Sequence, residues 1–235
     1  MIKLLTFDLD NTLWDVDAII PRANKAMRDW IRQEHGDFAA QFNFNDMMPL
    51  LMQVAKEHPA IAHDFTQLRM EVLRRAFRQG GYTERAAEEA AEGAFLAFFH
   101  ERNRVNFFPH VMDKLPLLKE EFLLYSISNG NADIRLTGLS DFISRHFSAI
   151  NTGFAKPDPR IFSAAIQAAD CAPYEVVHIG DDPVLDVEAA AAVGMKTVWV
   201  NYHQHAWPVE KAPADAVIHS FDELPSVLAQ LKRSA

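Results

Sequence analysis

Apolar residues run almost unbroken over positions 2–7 and stop at Asp8, where acidic and polar side chains take over in the stretch FDLDNTLWD. A short continuous apolar run of this kind predicts a parallel strand covered on both faces. The pattern then changes. Over 22–34, 46–58, 65–79 and 84–104, Ala, Glu, Arg and Leu are frequent and aromatics recur on one face, which predicts helices. Pro21 suits a first helical turn, and His58-Pro59 and Gly80-Gly81 are expected breaks. From about residue 108, strands and helices alternate. Strands are expected at 122–127 (FLLYSI), near 148–150, at 175–179 (EVVHI), 197–200 (TVWV) and 216–218. Helices are expected at 161–169, 183–193 and 224–231.

Alternation of that kind implies an α/β fold with a doubly wound, mostly parallel, Rossmann-like sheet. The strand at 2–7 belongs to this core and is followed by a helical insert. The expected division is a core of 1–14 and 108–235 with a helical-bundle cap of 15–107. The insert's aromatics, Trp30, Phe38, Phe42, Phe44, Phe65, Phe95, Phe98 and Phe99, read as the bundle's own core. Ligands in open α/β sheets bind at the carboxyl ends of the strands, so a lid over that edge is expected, hinged at 15–17 and 106–110.

Four polar clusters fall at four such strand ends. Asp8 and Asp10 follow the first strand, Ser128-Asn129-Gly130 follows FLLYSI, and Lys156 sits in AKPDP. Gly180-Asp181-Asp182 follows EVVHI, with Asp186 in the next helix. Singly, each has an ordinary reading as a turn, a solvated Lys, or an N-cap followed by Pro. Together they place the carboxylates of Asp8, Asp10, Asp181 and Asp186, one ammonium and neutral donors on one edge. Two like charges at about 4 Å repel by about 4 kcal/mol at an effective dielectric near 20. Hard oxygen ligands of this kind suit Mg²⁺. The set is a site for a phosphoryl group.

Composition narrows the alternatives. The 235 residues are 49% hydrophobic, and 32 acidic residues against 23 basic ones give a formal net charge of −9. That balance disfavours nucleic acid and anionic membranes as partners. A single cysteine, Cys171, excludes a disulfide framework within the chain and fits a cytoplasmic setting. No apolar stretch approaches the roughly 20 residues of a membrane span, and no signal peptide is read at the start.

In this order, FDLDNTLW, SNG, KPDP and GDDPVLD resemble the four motifs of the haloacid dehalogenase (HAD) superfamily, and the insert resembles the cap many members carry there. The resemblance implies a Mg²⁺-dependent phosphomonoester hydrolase. Asp8 would be the nucleophile and form an aspartyl-phosphate, and Asp10 the general acid/base. Asp8, the Asp10 carbonyl and Asp181 would hold the metal, with Asp182 and Asp186 behind them. Thr12, Ser128, Asn129, Gly130 and Lys156 would serve the phosphoryl group and its loop. Members that cleave carbon–halogen bonds lack an aspartate at the position of Asp10. A halide leaves without a proton and an alkoxide does not, so Asp10 favours a phosphate ester. A phosphosugar mutase, which keeps both aspartates, and a non-catalytic phospho-ligand module are the alternatives. Within the superfamily, NTLWD and the rest of the chain are similar to bacterial phosphatases of flavin mononucleotide and of phosphorylated ribitylaminouracil. A small phosphorylated metabolite is therefore the expected partner. Trp14 either stacks on a flat substrate ring or packs internally. His178 reads as a core residue, His203 and His205 as surface loop, and Cys171 as inert.

Overall fold

The computed structural model describes residues 1–208, 210 and 212–233. It divides into two compact units: Met1–Val16, Asn106–Gly130 and Ile134–Ala235 form one, Asp17–Val105 with Asn131–Asp133 the other.

In chain order the elements are β1 (Leu4–Phe7), α1 (Val16–Glu34), α2 (Gly36–Gln41), α3 (Met47–Glu57), α4 (Phe65–Gln79), α5 (Glu84–Arg102) and α6 (Val111–Glu121). Then come β2 (Leu123–Ser128), β3 (Arg145–Ser148), α7 (Ala149–Thr152), α8 (Pro159–Ala168) and β4 (Val176–Gly180). A π-helical turn (Pro183–Glu188) runs into α9 (Ala189–Ala192), followed by β5 (Lys196–Val200), β6 (Ala216–Ile218) and α10 (Leu224–Arg233).

The first unit is built on a six-stranded sheet of order β3-β2-β1-β4-β5-β6, parallel at every pairing. Strands β1, β2 and β4 are buried along nearly their whole length, as their apolar runs require. The chain leaves β1, fills β2 and β3 on one side, and returns to β4 on the other. The strand order therefore reverses at β1, and the carboxyl ends of β1 and β4 lie side by side, with Phe7 opposite Ile179. That is the topological switch point at which such sheets bind ligands.

Two expected elements shift. The strand anticipated near 148–150 lies at Arg145–Ser148, and Ser148 instead caps α7, its hydroxyl accepting from Asn151 N–H. Helix α1 begins at Val16, so Pro21 falls inside it rather than in its first turn. The amphipathic pattern of α1, which buries Ile19, Ala23, Met27 and Ile31, outweighs the one backbone donor that Pro21 lacks.

The helical unit has its own core, made by Phe38, Phe77, Phe98 and apolar residues of α1, α3, α4 and α5. Residues 131–133, which the pattern assigned to the core, cluster with this unit. The Asn131 amide donates to the Thr66 hydroxyl (3.3 Å), and Asp133 N–H to Asn103 Oδ1 (2.7 Å). Among the described residues no helix is long and apolar enough to cross a membrane.

Helix α4 starts at a buried cap: Asp64 Oδ1 accepts from the N–H groups of Thr66 (2.9 Å) and Gln67 (3.0 Å). Asp64→Ala is expected to lower the stability of the helical unit by about 1 kcal/mol. Urea unfolding followed by far-UV circular dichroism checks this, and an unchanged midpoint would show that the cap contributes nothing.

Candidate functional site

The loop after β1 is a tight reversal. Leu9 C=O accepts from Thr12 (3.3 Å) and Leu13 (2.8 Å) N–H, Asn11 N–H donates to Trp14 C=O (2.7 Å), and Asn11 takes a left-handed φ of +59°. Asn tolerates that conformation better than most residues. The reversal keeps Asp8 buried at the strand end, while Asp8 N–H still donates to Ile179 C=O (2.9 Å) in β4.

The loop after β4 brings two more carboxylates. Asp182 is spent as a helix cap: its Oδ1 accepts from Val184 (2.7 Å) and Leu185 (2.8 Å) N–H. In the π-helical turn that follows, Val187 N–H reaches back five residues to Asp182 C=O (3.2 Å). The wider turn aims Asp186 back at β4, where its Oδ2 accepts from Asp182 N–H (3.0 Å). Gly180 makes this approach possible. A Cβ there would lie 2.3 Å from Asp186 Cγ and 2.5 Å from its Cβ, so any side chain at 180 would displace Asp186.

As a result, Asp8, Asp181 and Asp186 each offer a carboxylate oxygen within 4.8 Å of the others. The Lys156 ammonium lies in the middle, donating to Asp8 Oδ1 (2.6 Å) and Asp186 Oδ1 (2.5 Å). Three carboxylates against one ammonium leave two negative charges uncompensated when all are ionised. Buried hard oxygens with that surplus fit a divalent cation.

The ionisation pattern follows from burial and charge. Burial pushes the Asp8 carboxyl well above the ordinary carboxylate range despite Lys156, and Asp186 and Asp181 push the same way. Burial, then the Asp186 charge, pushes Asp181 up to about 7. For Asp186, burial opposes ionisation, but Lys156 and His178 override it and hold the carboxyl below its usual range. Burial would likewise lower Lys156, and the two carboxylates override it, so the ammonium is held above its ordinary range. Burial keeps His178 neutral.

Other expected site residues take specific places. The Thr12 hydroxyl, expected to support its own loop, crosses to Asp181 Oδ1 (3.0 Å). Ser128 Oγ accepts from Gly130 N–H (3.0 Å). The Asn129 amide is used on both sides by Lys156: its Nδ2 donates to Lys156 C=O (2.9 Å) and its Oδ1 accepts from Lys156 N–H (2.7 Å). Asn129 thus fixes the lysine backbone. Of the expected aspartates, Asp10 and Asp182 keep their carboxylates outside the acidic trio.

Several partners were not read from the sequence. His178 is buried as expected of a core residue, yet its ring joins the site. Its Nε2 faces Asp186 Oδ1 (3.1 Å) and its Nδ1 the Thr6 hydroxyl (2.8 Å). A carboxylate only accepts, so a neutral ring carries its proton on Nε2 and accepts from Thr6. The available signal was two polar residues inside apolar strands, and Thr6 and His178 are register partners. Trp14 has no exposed surface, so it offers no open face for a substrate ring. It packs edge-on against Phe107, and its indole N–H donates to Asp10 Oδ1 (2.7 Å). The Trp199 indole donates to Asp181 C=O (2.7 Å) and the Tyr202 hydroxyl to Thr12 C=O (2.9 Å). Three aromatic donors thus brace the two acidic loops.

Comparison with known proteins matches residues 2–194 to the family of haloacid dehalogenase-like hydrolases. The chain is 30% identical to the 5-amino-6-(5-phospho-D-ribitylamino)uracil phosphatase of Escherichia coli (strain K12), over 85% of this chain and 83% of that protein. It is also 30% identical to a glyceraldehyde 3-phosphate phosphatase of Pyrococcus furiosus, over 99% of this chain and 94% of that one. Among solved structures, a 2-haloacid dehalogenase from Pseudomonas syringae pv. Tomato superposes with a TM-score of 0.93 and 37% identity, covering 98% of this chain and 99% of that one.

Asp181 predicts a linkage between proton and metal. A carboxyl raised from 3.8 to about 7 holds its proton in the folded state, so its contribution to stability is full below pH 4 and lost as pH rises through 7. A divalent cation must displace that proton. Millimolar Mg²⁺ is therefore expected to raise Tm more at pH 8 than at pH 5.5. Gly180→Ala is expected to abolish the shift at both. Equal shifts at both pH values, or a Gly180→Ala chain that responds like the parent, would contradict this account of the trio.

Proposed function

Because the chain belongs to the haloacid dehalogenase-like hydrolases, we propose that it is a phosphatase: a Mg²⁺-dependent hydrolase of a small phosphorylated metabolite, working through an aspartyl-phosphate on Asp8. The observation that carries this reading is the pairing of a buried acidic trio with a second aspartate, Asp10, fixed at one oxygen by the Trp14 indole.

Asp8 attacks phosphorus with one carboxylate oxygen, and the bond from phosphorus to the ester oxygen breaks. Asp10 gives the departing alkoxide its proton, so the alcohol leaves neutral. The Asp10 carboxylate then takes a proton from the water that attacks the aspartyl-phosphate, releasing phosphate and restoring Asp8. The Trp14 indole, donating to one Asp10 oxygen, fixes the orientation of that carboxyl. Lys156, released from part of its pairing with Asp8 as the substrate arrives, stays against the phosphoryl oxygens. The Ser128 hydroxyl, held by Gly130 N–H, donates into that cradle. Asp8, Asp181 and Asp186, with the Asp10 carbonyl, would hold Mg²⁺. When bound, the ion neutralises charge on the transferring group.

The similarity to the Escherichia coli phosphatase supports a riboflavin-pathway phosphate or flavin mononucleotide as substrate. The Pseudomonas syringae neighbour raises a second reading, release of halide from a 2-haloacid. That reaction gives Asp10 no proton to deliver and needs no divalent cation to balance the trio, so it leaves two features of the site without work.

The assay separates the two. Phosphate release from a panel that includes flavin mononucleotide is expected to require Mg²⁺ and to vanish in Asp8→Asn. Asp10→Asn is expected to lower kcat by about 10²–10⁴. Halide release from 2-chloropropionate without phosphatase activity would overturn the proposal.

A further inference from the structure

The helical unit holds a cavity of about 260 Å³ that the proposed chemistry does not use. Met27 of α1, Met47, Met48 and Leu51 of α3, and Val72 of α4 give it apolar walls. Its polar groups are Asn24, Asn45 and two guanidiniums, Arg28 and Arg69.

Those guanidiniums differ from their neighbours. Arg22, Arg32, Arg74, Arg75, Arg78 and Arg85 each face a carboxylate of the same unit within 4 Å. Among the described residues no carboxylate pairs with Arg28 or Arg69. In a chain of net charge −9, two guanidiniums without a carboxylate partner among the described residues on one cavity stand out.

Arg69 is also held in place. Its guanidinium lies over the Phe98 ring, 3.7 Å from the centroid, and Nη1 donates to Asn24 Oδ1 (2.9 Å). Burial lowers it to about 10, so it stays charged at neutral pH, and among the described residues no anion offsets the cost. A desolvated cation with one neutral acceptor is an expensive arrangement that a bound anion would relieve. The geometry is preorganised for a carboxylate or phosphate, because a guanidinium offers paired donors in a fixed fork.

We propose that this cavity is a second ligand site, taking a small organic anion whose charged group meets Arg28 and Arg69 while its apolar body lies against the methionines. The volume falls below the roughly 300–1,000 Å³ of drug-sized pockets, which limits the body to one or two rings. Flexible thioethers adapt to flat or branched bodies alike. The site is independent of the phosphatase reading: Arg28 and Arg69 perform no step of phosphoryl transfer.

The test uses the full-length protein with 2-naphthoate as probe and 2-naphthamide as its uncharged counterpart. Calorimetry is expected to show saturable binding of one naphthoate per chain, with the amide at least tenfold weaker. Arg69→Met and Arg28→Gln should each weaken naphthoate at least tenfold, and Arg69→Lys less than Arg69→Met. In the parent chain the Nε–H resonances of both arginines should shift during the titration. Should Arg69→Met fail to fold, Arg28→Gln and those resonances still decide. Equal binding of amide and naphthoate, unchanged affinity in Arg28→Gln, or unmoved arginine signals would overturn the proposal.

Discussion

The buried ammonium of Lys156 is the contact on which the acidic edge depends. Asp8 and Asp186 are both nearly devoid of solvent, and burial opposes the charge of each; Lys156 holds Asp186 below its usual range, whereas Asp8 stays above it. One lysine cannot satisfy three carboxylates, and the remainder is visible in Asp181, pushed up to about 7. A site short of positive charge in this way is unstable toward protons and receptive to a divalent ion. The same imbalance that costs stability in the ion-free chain is what suits the trio to a divalent cation.

Holding that imbalance requires rigid loops, and the fold supplies them from behind. Asn129 clasps the Lys156 backbone at both ends of its amide. Trp199 and Tyr202, from β5 and the segment after it, hold the carbonyls of Asp181 and Thr12. Trp14 holds the side chain of Asp10 directly. The last three donors are aromatics with large apolar bodies, so the acidic loops are held by packing and by a hydrogen bond at once. Such support is what keeps reacting groups within the small tolerance that catalysis demands.

Resemblance of fold does not choose the reaction. A 2-haloacid dehalogenase superposes closely on this chain, and two phosphatases align along most of its length. Both facts are compatible with one ancestral scaffold carrying different chemistry. On the proposed reading the choice turns on Asp10, because an ester oxygen needs a proton to leave and a halide does not.

The alternation of strands and helices, the interruption after the first strand and the four polar strand ends were legible in the chain. Burial on both faces demands continuous apolar runs, and those are a property of local composition. The grouping of Asp8 with Asp181 could be anticipated, because parallel strands put their carboxyl ends on one edge. What local composition could not give is direction. That Asp186 turns inward, that Asp182 turns away to cap, that His178 faces the site and that the Trp14 ring is closed to ligands all depend on how one turn widens or one strand face is oriented. The strand at Arg145–Ser148 moved for the same reason: Ser148 found a helix to cap. The chain determined which groups arrive at the edge. Tertiary packing decided which of their atoms meet, because hydrogen-bond geometry between distant segments is set only once those segments are in contact.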